Sequence, residues 1–119
     1  MAERILEIGS HRFTEVKSTD AMGDGGAYHD YEINCLHDLN GTCATVRFQK
    51  GPVNEAGVNG CFMEDLLCIC IDRLQCFQKG EFACRENAIA LTKIQEATHW
   101  LDHRTKDRQR RCVEGASVA

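Results

Sequence analysis

The sequence predicts an α+β fold, an N-terminal antiparallel β-sheet followed by a C-terminal antiparallel helical hairpin. Three observations carry this. Up to about residue 50 apolar and polar residues alternate with a period of two, the signature of half-buried strands. Beyond Pro52, the single proline, apolar residues recur every three to five positions, the signature of amphipathic helices. At 119 residues the chain has the usual length of one domain around one core. We therefore expect a single domain over residues 1–119, with its sheet part at 1–50, its hairpin at 57–112 and a tail at 113–119.

The elements follow in order. Ile5 to Val16 mixes β-branched and aromatic with polar residues and reads as a strand, and Gly23-Asp24-Gly25-Gly26 reads as a turn. Ala27 to Leu36 sets Tyr31, Ile33 and Cys35 opposite Asp30, Glu32 and Asn34, a second strand. Asn40-Gly41 favours the positive φ angles of a tight hairpin turn, after which Thr42 to Phe48 alternates again. Residues 27–49 are thus a β-hairpin within a sheet of three or four antiparallel strands. Lys50-Gly51-Pro52 ends the sheet, and Gly57-Val58-Asn59-Gly60 supplies a second, flexible elbow. From Cys61 to Phe77 the positions Phe62, Leu66, Ile69, Leu74 and Phe77 mark the inner face of one helix, stopped by Gln78-Lys79-Gly80. A second helix runs from about Arg85 to Arg111, with an inner stripe of Leu91, Ile94, Thr98 and Leu101 flanked by Ala90, Ala97 and Trp100. The short link makes the two helices antiparallel neighbours.

Composition narrows the function. The chain is 43% hydrophobic and 27% charged, with a net charge of -4, which describes a folded soluble protein and disfavours nonspecific coating of DNA or RNA. The cations are unevenly placed: residues 103–119 carry five Lys/Arg against two acids. That local basic island suits a compact anion. No apolar run reaches the roughly 20 residues of a membrane span, and the first 13 residues lack the features of a signal peptide, so a cytoplasmic location is expected. In that compartment the eight cysteines read as reduced thiols serving as small apolar residues.

Three groups of residues have chemical potential. At the corner between the helices, Phe77 offers a stacking face, while Arg85 and Asn87 stand with backbone N–H groups at the start of the second helix, a nucleotide-shaped set. Residue types alone favour a plainer reading, a hairpin corner in which Phe77 and Phe82 plug the core and Arg85 pairs with Glu81 or Glu86. Arg104 and Arg108 share a helix face, with Arg111 one turn on. Such cations commonly offset the helix dipole, yet guanidinium groups converging in an oligomer would also bind phosphates in a bidentate way. His99 and His103 are spaced to share a metal, which leaves a metal-dependent hydrolase as an alternative, as is a protein-interaction module. No third ligand stands near, and no nucleophile motif or phosphate-binding glycine loop occurs, so neither a metal, a cofactor nor an enzymatic activity is expected.

The run Phe48-Gln49-Lys50-Gly51-Pro52-Val53-Asn54-Glu55-Ala56-Gly57-Val58-Asn59-Gly60, then Phe82-Ala83-Cys84-Arg85-Glu86-Asn87-Ala88, then Trp100-Leu101 with Arg104-Thr105 and Arg108, then Val113-Glu114-Gly115, resembles the phage anti-Thoeris sponge family of the first type. The resemblance covers about residues 28–116. It departs from the family pattern at Cys112, where the family usually has glycine. It implies an immune-evasion protein that sequesters cyclic ADP-ribose isomers made by TIR-domain defence enzymes, and a dimer able to assemble further into a trimer of dimers. The hairpin is also similar to that of anti-CBASS sponges, implying a second site for cyclic di- or trinucleotides. On the matching motifs, Phe77 would stack adenine and Asn87 would hydrogen-bond the first ligand. Arg104 and Arg108 would grip the phosphates of the second.

Overall fold

The computed structural model describes residues 3–7, 13–37 and 41–116, and these fall in two compact units, Met1–Cys61 and Phe62–Ala119. Among the described residues the first unit carries four strands, β1 (Arg4–Leu6), β2 (Thr14–Ser18), β3 (Asp30–Cys35) and β4 (Thr42–Arg47), in the order β1-β2-β3-β4 with neighbouring strands antiparallel. The β-sheet and its following helices bear out the α+β reading.

The first expected strand is corrected. Ile5 to Val16 is two strands and not one, because Leu6 pairs with Val16 and the chain reverses between them. Residues 8–12 lie outside the described residues. The β3–β4 hairpin is as expected, with Tyr31 opposite Val46 and Ile33 opposite Ala44. Asn40, expected at its turn, lies outside the described residues. A bulge follows, since Asn34 pairs with Thr42 and Cys43 is left as the extra residue. On this sheet Ser18 is fully buried and accepts a hydrogen bond from Arg4 Nε at 3.0 Å. The Arg4 guanidinium lies 3.5 Å from the centre of the Tyr28 ring.

The loop leaving β4 is stapled, which corrects the expectation of a flexible elbow. Gln49 Nε2 donates to the carbonyls of Gly51 (3.2 Å) and Gly57 (2.7 Å), and its Oε1 accepts from Asn59 N–H at 2.9 Å. Asn59 in turn grips both backbone groups of Lys50, accepting at 2.8 Å and donating at 2.7 Å. The short helix α1 (Val53–Ala56) sits inside this clasp and ends on Gly57 at φ 71°. Gly60 lies so close to β4's exit that a Cβ there would stand 2.5 Å from the Phe48 carbonyl carbon. Only glycine fits that approach.

The second unit is a helical hairpin of α2 (Met63–Gln78) and α3 (Arg85–Arg110). The N–H of Phe62 donates to Asp65 at 2.9 Å and starts α2, and Cys84 caps α3 by accepting from Asn87 N–H on its sulfur at 3.4 Å. On α3 the half-buried residues Asn87, Leu91, Ile94, Thr98, Leu101, Thr105 and Arg108 are spaced four and three in alternation, with Asp107 half-buried beside the last of them. This is a coiled-coil seam. On α2 the half-buried residues are Glu64, Leu66, Leu67, Ile71, Leu74, Phe77 and Gln78, so the expected inner face holds at Leu66, Leu74 and Phe77 and fails at Ile69, which is 64% exposed, and at Phe62, which is also exposed. A choice between Ile69 and Ile71 depends on where the partner helix lies, which the run of apolar residues Leu66 to Ile71 leaves open. Ala90, Ala97 and Trp100 are exposed as well, Trp100 at 68%. Among the described residues no hydrophobic side chain is fully buried.

Candidate functional site

The hairpin corner brings Phe77 and Asn87 to one end of the helical unit. Phe77 occupies the last turn of α2 because Gln78-Lys79-Gly80 breaks the helix there, and Asn87 occupies the first turn of α3 because Cys84 starts it. Both are half-buried, whereas Arg85, the first residue of α3, is exposed. Phe82 is 70% exposed, which removes it as a plug of the core.

Two further residues shape this corner and were missed in the sequence. Arg73, one turn before Phe77, holds its guanidinium 5.1 Å from the centre of the Phe77 ring, so a cation accompanies the stacking face. The i, i+4 spacing of Arg73 and Phe77 was the available signal. Gln78 closes the corner by donating from Nε2 to the Cys84 carbonyl and accepting on Oε1 from the Cys84 N–H, both at 3.1 Å. A side-chain amide can imitate a strand neighbour in this way, and nothing local in the sequence announces it.

At the other end of α3 the basic residues are met by carboxylates. Lys106 pairs with Asp102 at 3.0 Å and Arg104 with Glu64 at 3.8 Å, a contact that links the end of α3 to the start of α2. Asp107 takes both Arg110 and Arg111, and the hydrogen bond from Arg110 chiefly holds its carboxyl below the ordinary aspartate value despite some desolvation. Arg108 pairs with Glu114 at 3.4 Å. His99 and His103 stand edge-on to Trp100, with ring centres 6.5 and 5.7 Å from it. Among the described residues no group of three or more His, Cys, Asp or Glu is arranged to hold a metal ion.

The sheet unit has a shallow cavity of about 320 Å³ lined by Asp20, Ala21, Gly23, Asp24, His29 and Lys50. Desolvation pushes the Asp20 carboxyl up, but backbone N–H groups of His29 and Asp30 outweigh it and leave the group below its ordinary value. Lys50 Nζ is held by Asp30 at 2.7 Å.

The family model of the Acb2/Tad1 hairpin domain matches residues 44–106, from within β4, through the stapled loop and the corner, to near the end of α3. The chain belongs to the Acb2/Tad1 hairpin family. The resemblance read from the motifs is thereby borne out. Phe77, Arg85, Asn87 and Arg104 lie inside the Acb2/Tad1 match, whereas Arg108 lies just beyond it. A protein named Thoeris anti-defense 1, from Bacillus phage SBSphiJ7, is 56% identical over 80 residues. That alignment takes in 67% of this chain and 56% of the relative, so the chain spans little more than half the length of the relative it matches. Among the described residues no helix is long and apolar enough to cross a membrane.

Proposed function

We propose that the chain is a phage anti-defence protein that binds cyclic ADP-ribose isomers, the signals of Thoeris defence, and holds them without turning them over inside the infected cell. Membership of the Acb2/Tad1 hairpin family and the name of the phage relative support this reading. The observation that carries it is the corner, where the half-buried Phe77 ring, accompanied by the Arg73 guanidinium, ends α2 and the half-buried Asn87 lies in the first turn of α3. Adenine stacks on Phe77, Asn87 reads a polar edge of the ligand, and Arg73 and Arg85 face its phosphates. Stacking supplies roughly 1–3 kcal/mol per base, and nanomolar capture needs about 12 kcal/mol. Charge-assisted phosphate contacts and enclosure must therefore provide most of the affinity.

Enclosure comes from a homo-oligomer, a dimer that assembles further as a trimer of dimers. Its support is the apolar surface left on the hairpin, Ile69, Phe82 and Trp100 at 64%, 70% and 68% exposure, beside the lack of any fully buried hydrophobic residue among those described. Arg104 and Arg108 form the second site, for the phosphates of cyclic di- or trinucleotides. The test is to incubate the protein with a cyclic ADP-ribose isomer, remove free ligand and denature by heat. Intact isomer should be recovered at stoichiometric amounts, and Phe77→Ala or Asn87→Ala should weaken binding at least tenfold, the loss of about 1.4 kcal/mol or more. Recovery of a hydrolysed product overturns the reading in favour of an enzyme.

A further inference from the structure

Of the basic residues closing α3, Arg108 is held differently from the rest. The ion pairs of Arg104, Lys106, Arg110 and Arg111 lie on exposed side chains, where such pairs contribute little. The Arg108 side chain is only 18% exposed, and three oxygens of the following segment converge on it. Its Nε donates to Glu114 Oε1 at 3.4 Å, and one terminal nitrogen donates to the carbonyls of Val113 and Ala116 at 2.9 and 3.0 Å. The chain reaches this position by a sharp reversal. Val113 N–H returns to the Arg108 carbonyl and Cys112 N–H to that of Gln109, with Cys112 in the left-handed region at φ 60°. Ala116 N–H then closes a turn on Val113.

A cluster of oxygens with one negative charge, seated on a guanidinium, is what a phosphate group also presents. We propose that residues 113–116 are a latch that occupies Arg108 in place of phosphate, so that an anionic ligand engages this arginine only by displacing the Glu114 carboxylate. The proposal rests on the reading of Arg104 and Arg108 as a phosphate site. A ligand with one phosphate gains a contact equivalent to the one it breaks and meets the repulsion of Glu114 as well. A cyclic oligonucleotide with several phosphates makes further contacts in the same event and opens the latch. Glu114 thereby sets both the affinity and the selectivity of the second site.

The test titrates cyclic tri-AMP calorimetrically into the full chain, into a chain ended after Cys112, and into Glu114→Gln, each checked for native helix content by circular dichroism. Ending the chain after Cys112 should tighten binding about tenfold, and Glu114→Gln about threefold, since it removes the charge but leaves the two carbonyl contacts. Adding Arg108→Ala to the shortened chain should abolish the gain. Glu114→Gln guards against a shortened chain that fails to fold. Equal or weaker binding by Glu114→Gln, with the full chain still binding, overturns the latch and leaves the arginine site standing. No binding by any of the chains overturns the arginine site itself, and the latch with it.

Discussion

Cys112 shows how one side chain can sit against the preference of its backbone. It is the single non-glycine residue with positive φ among those described, in the position after a helix where glycine is favoured because it has no Cβ to clash. Cys112→Gly should therefore raise stability by about 0.5–1 kcal/mol, read as a higher thermal midpoint. An unchanged or lower midpoint would mean that the thiol makes a compensating contact. That a cysteine stands just past the end of the helix was visible in the sequence, but its consequence was not, because φ follows from how residues 113–116 fold back on Arg108. The same holds for Arg108: its place on the helix face of Arg104 was legible from spacing, while its partner Glu114 was set by the reversal of the chain.

At the scale of elements, the helix boundaries were legible because glycine and the polar corner residues break the apolar period. Those boundaries alone place Phe77 and Asn87 on either side of one corner. Gln78 then fixes that corner, and Gln78→Ala should leave the N–H and carbonyl of Cys84 without their amide partner. We expect a loss of about 1–2 kcal/mol and faster amide exchange at Cys84, with the seam residues Leu91 and Ile94 little affected. Equal protection at Cys84 in both proteins would show that the corner holds without the glutamine. In the loop after β4 the motif itself was plain to read, yet nothing announced that the Gln49 side chain would hold the backbone of Asn59 and the Asn59 side chain that of Lys50 across the loop. Amide side chains form such contacts only once the chain has brought the two ends together.

For the whole molecule, the apolar surface that the hairpin leaves exposed has a measurable consequence. Trp100 is the only tryptophan, so its emission reports directly on whether another copy covers it. Sedimentation at micromolar concentration should give a mass of at least twice 13.4 kDa, and Trp100→Asp should shift the protein toward monomer. Dilution of the unaltered protein should move the tryptophan emission to longer wavelength. A monomer at all concentrations would remove the enclosure on which the proposed capture depends.

The sequence by itself determined the local structure: strands from their period of two, helices from their recurring apolar positions, and the corner from its breaking residues. These follow from interactions between near neighbours, so they are written in the order of the residues. Tertiary structure alone decided that Ile5 to Val16 reverses into two strands, that Ile71 and not Ile69 lines the seam, and that Glu114 closes on Arg108. Each of these is a choice among partners distant along the chain or reached by a reversal, and periodicity, which states only which face is apolar, carries no record of what that face will meet.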